Sequence, residues 1–155
     1  MRPRAPKNDF ELGPALDFLQ HLWALNHALE RTSLQMERQL GVTAQQRLIL
    51  RCVGKYPGMT ASQLAAVLHL DPGTISVSLR RLMKKRLLQG KREKTDQRRV
   101  ALSLTAKGQA LDRPVPGSVE HAVQRMLTRV GHAPVDRAKD VLRTLSSDLM
   151  RMVNR

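Results

Sequence analysis

Ten basic side chains stand within twenty residues: Arg80, Arg81, Lys84, Lys85, Arg86, Lys91, Arg92, Lys94, Arg98 and Arg99. Two acids, Glu93 and Asp96, oppose them, so this segment holds +8 of the chain's net +14. Just before it come the small side chains Thr74, Ser76 and Val77. Cations at this density bind a polyanion, and short side chains let a backbone come close to one. No reacting centre accompanies them. The five histidines (His21, His27, His69, His121, His132) form neither an i, i+4 pair nor an H-E-x-x-H pattern. No carboxylates cluster as a metal site would need, and no G-x-S-x-G, Walker A or Rossmann glycine pattern is present. The expectation is therefore a binding protein rather than an enzyme, with no metal and no cofactor. Cys52 shares an apolar helix face with Leu48 and Ile49 and reads as core packing. The methionines on helical faces also read as core.

The totals agree. A chain of 155 residues can bury roughly 70% of its unfolded surface. No apolar run approaches the ~20 residues needed to span a bilayer, and MRPRAPKND lacks the apolar stretch of a secretory signal. One cysteine excludes an internal disulfide and fits a reducing cytoplasm. Only four aromatic residues occur (Phe10, Phe18, Trp23, Tyr56), none within the basic segment. Single-stranded nucleic acid is usually held by aromatic stacking, so a duplex is the better match.

The elements that must position these residues can be read from periodicity. Residues 1–9 read as a flexible tail. From Pro14 to about Leu40, Ala15, Phe18, Leu22, Leu25, Leu29 and Met36 step by threes and fours, with Thr32 in the gap. Leu12, Leu16, Leu19 and Trp23 make a second row, and two rows make a wide apolar helix face. Thr43 with Gln46, and Thr60 with Gln63, match the capping-box spacing, and Tyr56-Pro57-Gly58 is a turn between the helices they open. After a turn at His69–Gly73, Asp71 as N-cap and Pro72 start a helix to about Leu87. Its apolar stripe is Ile75, Leu79, Leu82, Met83 and Leu87. Two strand-like runs, Leu87 to Arg92 and Arg98 to Leu104, flank a charged tip. Short helix, tight turn, longer helix and hairpin make a winged helix-turn-helix. Thr105 opens another helix, Pro114-Val115-Pro116-Gly117 interrupts, and Ser118 caps again. Gly131 to Pro134 is a break. The last helix carries a heptad seam: Val135, Ala138, Leu142, Leu145, Leu149, Met152. The fold class is mainly α, with a small β-hairpin wing. Residues 41–108 are expected to be the DNA-binding domain, and 10–40 with 109–155 a helical dimerisation region. The terminal helices are more apolar than a monomer surface should be; the alternative is that they pack on each other within one chain.

The run LxLxxxTISVSLRRLxxxxLL followed by KREKTDQRRVALSLTAKGQAL resembles the MarR family of bacterial transcriptional regulators. The specific part is Asp96-Gln97-Arg98-Arg99, which fits that family's D-x-R-[RS] wing signature, followed by Leu104-Thr105-Ala106-Lys107-Gly108 as LTxxG. The resemblance implies a cytoplasmic homodimer with interlaced terminal helices, typically a repressor on a pseudo-palindromic operator, and in many members release by a small ligand or by cysteine oxidation. Redox-sensing members carry the cysteine in the first helix, where this chain has none. The Pro114–Gly117 break departs from the long helix common at that point. Phe18, Leu22, His27 and Cys52 are candidates to approach a ligand crevice, but no effector residue can be assigned.

On this reading Thr74, Ser76 and Val77 reach base edges in the major groove. Arg80 and Arg81 take guanine or phosphate, while Lys84 and Lys85 touch phosphate, which positions without reading sequence. The resemblance implies that Arg98 enters the minor groove, where a narrow A·T tract attracts arginine. Arg92 and Lys94 add phosphate contacts, with Arg99 beside them. Asp96 would pair with Arg98 or Arg99 and shape the tip. Thr60, Ser62 and Gln63 present a helix N-terminus to phosphate. A non-specific architectural DNA-coating protein is the alternative; it would share the charge but have no need of Thr74, Ser76 and Val77.

Overall fold

The structure is a computed structural model, described for residues 11–96 and 98–154. The expected tail at 1–9 lies outside the described residues. Among the described residues, seven helices and one two-stranded antiparallel sheet follow in the order α1 (Gly13–Leu40), α2 (Ala44–Lys55), α3 (Ala61–Leu68), α4 (Pro72–Lys84), β1 (Leu88–Arg92), β2 (Val100–Leu104), α5 (Ala106–Leu111), α6 (Val119–Val130) and α7 (His132–Val153).

The helix starts are where the local chemistry puts them. Both capping boxes form: Thr43 and Gln46 exchange side-chain and backbone bonds, as do Thr60 and Gln63. Such exchange satisfies backbone N–H groups that have no partner inside a helix. Asp71, Thr105 and Ser118 cap α4, α5 and α6 in one direction only, each side-chain oxygen accepting the N–H three residues on. The ends were less legible. Helix α4 stops at Lys84, short of Leu87, because Arg86 turns left-handed (φ 57°) and its N–H bonds to the Met83 carbonyl. The break before the last helix narrows to Gly131, and α7 runs straight through Pro134.

One core holds the lobe. Ile49, Leu50 and Val53 of α2 meet Leu64 of α3, Ile75, Leu79 and Leu82 of α4, and Leu88, Leu102 and Leu104 of the hairpin. All its fully buried members fall between Val42 and Leu104. The hairpin pairs Leu88 with Leu104 and Arg92 with Val100. A further link was not foreseen: the turn after α2 adds to this sheet, since Gly58 N–H donates to Leu102 O (2.8 Å) and Leu102 N–H to Met59 O (2.9 Å). It fixes the wing to the α2–α3 connection.

The LTxxG segment is a joint between wing and helix α5. Thr105 Oγ1 donates to Arg86 O (2.7 Å) and accepts the Gly108 N–H (3.0 Å). A Cβ at position 108 would stand 2.1 Å from the Leu87 carbonyl oxygen, so only glycine admits this approach.

The terminal helices differ from the lobe. α6 and α7 bury no side chain fully, and α1 buries only Met36. Trp23 is 66% exposed, and Leu16, Leu25, Leu142 and Leu149 are also exposed. The expectation that methionines on helical faces are core holds for Met36; Met83, placed in the apolar stripe of α4, is exposed, as are Met150 and Met152 on α7.

Candidate nucleic-acid interface

Helix α4 turns Ile75, Ser78, Leu79 and Leu82 into the core and leaves Ser76, Val77, Arg80, Arg81 and Lys84 exposed. The 3.6-residue period makes this split: small groups lie near the N-terminus and cations further along. Thr74 is half-buried and differs from its neighbours. Its hydroxyl donates to the Asp71 carboxylate, which also accepts the Thr74 N–H (2.9 Å). Thr74 is therefore first a capping residue, with lone pairs left to accept from a base. These bonds, the Thr74 hydroxyl first, hold the Asp71 carboxyl below the usual carboxylate range.

At the start of α3, Thr60 is buried while Ser62 and Gln63 are exposed. The capping box occupies the Thr60 and Gln63 N–H groups. The N–H groups left for a phosphate are those of Ala61 and Ser62, so Thr60 and Gln63 shape this end rather than donate from it.

In the wing, Arg92, Lys94, Arg98 and Arg99 are all exposed. Glu93 N–H donates to Arg99 O and Arg99 N–H to Asp96 O, both at 3.0 Å, closing the tip. Asp96 shapes it by a different bond from the one expected. Its carboxylate accepts the backbone N–H of Arg98 (3.0 Å), not a guanidinium. This is an Asx-type turn, the local bond that short acidic side chains favour. Arg99 lies instead 3.9 Å from Glu93. The Arg98 guanidinium is thus left outside the bonds that fold the tip, while both acids of the hairpin face other groups of the wing. Lys85 also departs from expectation. Its Nζ donates to Gly41 O (2.7 Å) and Gln46 Oε1 (3.3 Å), tying the end of α4 to the α1–α2 junction. Its ammonium is engaged by the fold.

Cys52 packs against the lobe core, and burial pushes its thiol up. Phe18 and Leu22 do line a crevice, with His21 and Leu25 of α1 and Ala138, Val141 and Leu142 of α7. Cys52 and His27 lie outside it. Among the described residues no group of His, Cys, Asp or Glu is placed to hold a metal ion, and no helix is long and apolar enough to cross a membrane.

An exposed cationic helix and an adjoining cationic hairpin on one helical lobe define a winged-helix DNA-binding protein, and residues 42–108 match the winged helix DNA-binding domain family. The organic hydroperoxide resistance transcriptional regulator of Bacillus subtilis (strain 168) is 28% identical over 101 residues, spanning 63% of this chain and 69% of that one. Among solved structures, a Listeria monocytogenes regulator assigned to the MarR family and complexed with 26mer DNA superposes with TM-score 0.66 at 21% identity, covering 84% of this chain and 87% of that one. The PcaV regulator from Streptomyces coelicolor, in complex with its natural ligand, superposes with TM-score 0.66 at 22% identity over 92% and 97% of the two chains. These likenesses, at 21% and 22% identity, show that the chain shares the fold of these regulators.

Proposed function

We propose that two copies of this chain, joined through α1, α6 and α7, bind one DNA duplex as a sequence-reading regulator, probed first as a repressor of transcription in the bacterial cytoplasm. In this reading residues 41–108 form the DNA-binding domain, and 10–40 with 109–155 the dimerisation region. Each α4 lies in a major groove with Ser76 and Val77 at base edges and Arg80 and Arg81 on guanine or phosphate. Lys84, Arg92, Lys94 and Arg99 neutralise phosphate, the N-terminus of α3 at Ser62 caps another, and Arg98 enters the minor groove. The observation that carries this is the split face of α4: core-forming on one side, and on the other small side chains followed by cations, with the wing's exposed Arg98 beside it.

Selection of bound duplexes from a random pool tests it. A two-fold symmetric consensus is expected. Equal affinity for the selected and a scrambled duplex at 150 mM salt would favour non-specific coating instead. The apolar crevice between α1 and α7 is the natural place for a small apolar effector; a thermal shift with candidate ligands checks for one. The raised Cys52 thiol is poorly suited to peroxide chemistry, because the thiolate is the reacting form.

A further inference from the structure

The DNA-binding lobe meets the terminal helices through two covalent connections, and the second is gripped in an unusual way. On α2, Arg47, Arg51 and Gly54 lie on one stripe, three and four residues apart. All three hold the elbow between α5 and α6. Arg47 is 1% exposed, the largest fully buried side chain among the described residues. Its Nη1 donates to Leu111 O (2.7 Å), its Nη2 to Arg113 O (2.5 Å) and its Nε to the Glu120 carboxylate. Arg51 Nη1 donates to the Asp112 carboxylate at 2.5 Å. A Cβ on Gly54 would stand 2.1 Å from Asp112 Oδ2, so the missing side chain makes room for that carboxylate against the helix. Two carbonyls and two carboxylates from residues 111–120 thus converge on one face of α2.

A buried arginine is a poor means of adding stability, since apolar residues of similar volume often serve as well or better. Its fork of donors is suited to fixing geometry. The elbow needs fixing: Pro114 and Pro116 offer no N–H, and α6 beyond it buries no side chain fully. We infer that Arg47, with Arg51 and Gly54, is a positioning latch that sets the angle of the DNA-binding lobe on the dimer and so the spacing between the two recognition helices. The inference rests on the paired-lobe reading above. Half-sites one helical turn apart are about 34 Å from centre to centre. A shift of about 3.4 Å, one base-pair step, puts the second α4 out of register. When both lobes cannot engage at once, the avidity of the pair is lost.

The test uses the full chain and duplexes carrying the selected half-sites at the selected spacing, with one base pair inserted or removed. Wild type is expected to lose at least about tenfold in affinity with either change. Arg47→Met combined with Glu120→Met exchanges the charged pair for apolar side chains and deletes every Arg47 bond to the elbow. It is expected to lose less than about threefold across the same spacings, while its affinity for a single half-site stays within about twofold of wild type. A merely structural role would move the single-half-site affinity or the melting temperature and leave the spacing penalty alone. Asp112→Ala, which removes the Arg51 grip without entering the lobe core, is expected to relax the penalty in the same direction. The latch is overturned if the folded double variant keeps the wild-type penalty, or, should that variant not fold, if Asp112→Ala keeps it. A wild type with no spacing penalty would instead overturn the paired-lobe reading itself and the latch with it.

Discussion

At the scale of single residues, the two acids of the wing show how charge is shaped there. Asp96 faces a backbone N–H and Glu93 faces Arg99, which leaves Arg98 outside the tip's own bonds. Arg98→Ala is therefore expected to weaken operator binding by at least ~1 kcal/mol without changing the melting temperature, read by titration and calorimetry side by side. Lys84→Ala should act differently. It should weaken all duplexes alike and flatten the dependence of log K on log salt by about 0.9 for each phosphate released. Residues bonded to close neighbours were legible in the sequence: Thr43, Thr60 and Asp71 each bond a group three positions on. Arg47 was not, because its partners lie 64 to 73 residues away. Nothing in a local pattern separates it from a solvated arginine. The fold bonds of Lys85 were hidden for the same reason, its partners lying 39 and 44 residues back.

At the scale of elements, periodicity and capping residues together located the described helices, but the ends of α4 and α7 depended on backbone turns that side-chain types barely signal. The left-handed turn at Arg86 is one, in a residue type that rarely adopts it. The elements are held by few local devices, which makes them testable. Gly108→Ala drives a methyl into the Leu87 carbonyl. A loss of roughly 1–3 kcal/mol in unfolding free energy is expected, with the wing displaced from α5. A neutral outcome in urea unfolding would show that the joint yields. The start of α4 is pH-sensitive through Asp71. Its carboxyl titrates below the usual carboxylate range because the folded cap favours the ionised form. The sign follows: the cap contributes stability above the ordinary carboxylate pKa and loses it as pH falls through the depressed folded value. The protection factor of the Thr74 N–H, its exchange taken relative to the intrinsic rate at each pH, should fall over that acid window, and Asp71→Asn should remove most of that pH dependence while keeping a cap.

For the whole molecule, the division of labour is one of burial. The lobe from Val42 to Leu104 closes its own core, whereas α6 and α7 bury no side chain fully and Met152 is 73% exposed. An apolar surface on that scale marks an interaction site. The heptad repeat at Leu142, Leu145 and Leu149 is the stripe a partner helix would use. Of these, Leu145 is half-buried in the isolated chain and Leu149 is exposed, so Leu149→Glu disturbs a partner more than it disturbs the chain's own packing. Two outcomes are expected together in that variant: light scattering reports half the wild-type mass, and affinity for the symmetric operator falls by about 100-fold or more as two linked contacts become one. The single-half-site affinity should stay near wild type, since the lobe core contains no residue of α7. If the mass halves and operator affinity does not change, each lobe reads DNA independently. In that case the twofold arrangement, and the spacing that Arg47 is inferred to set, have no role in recognition.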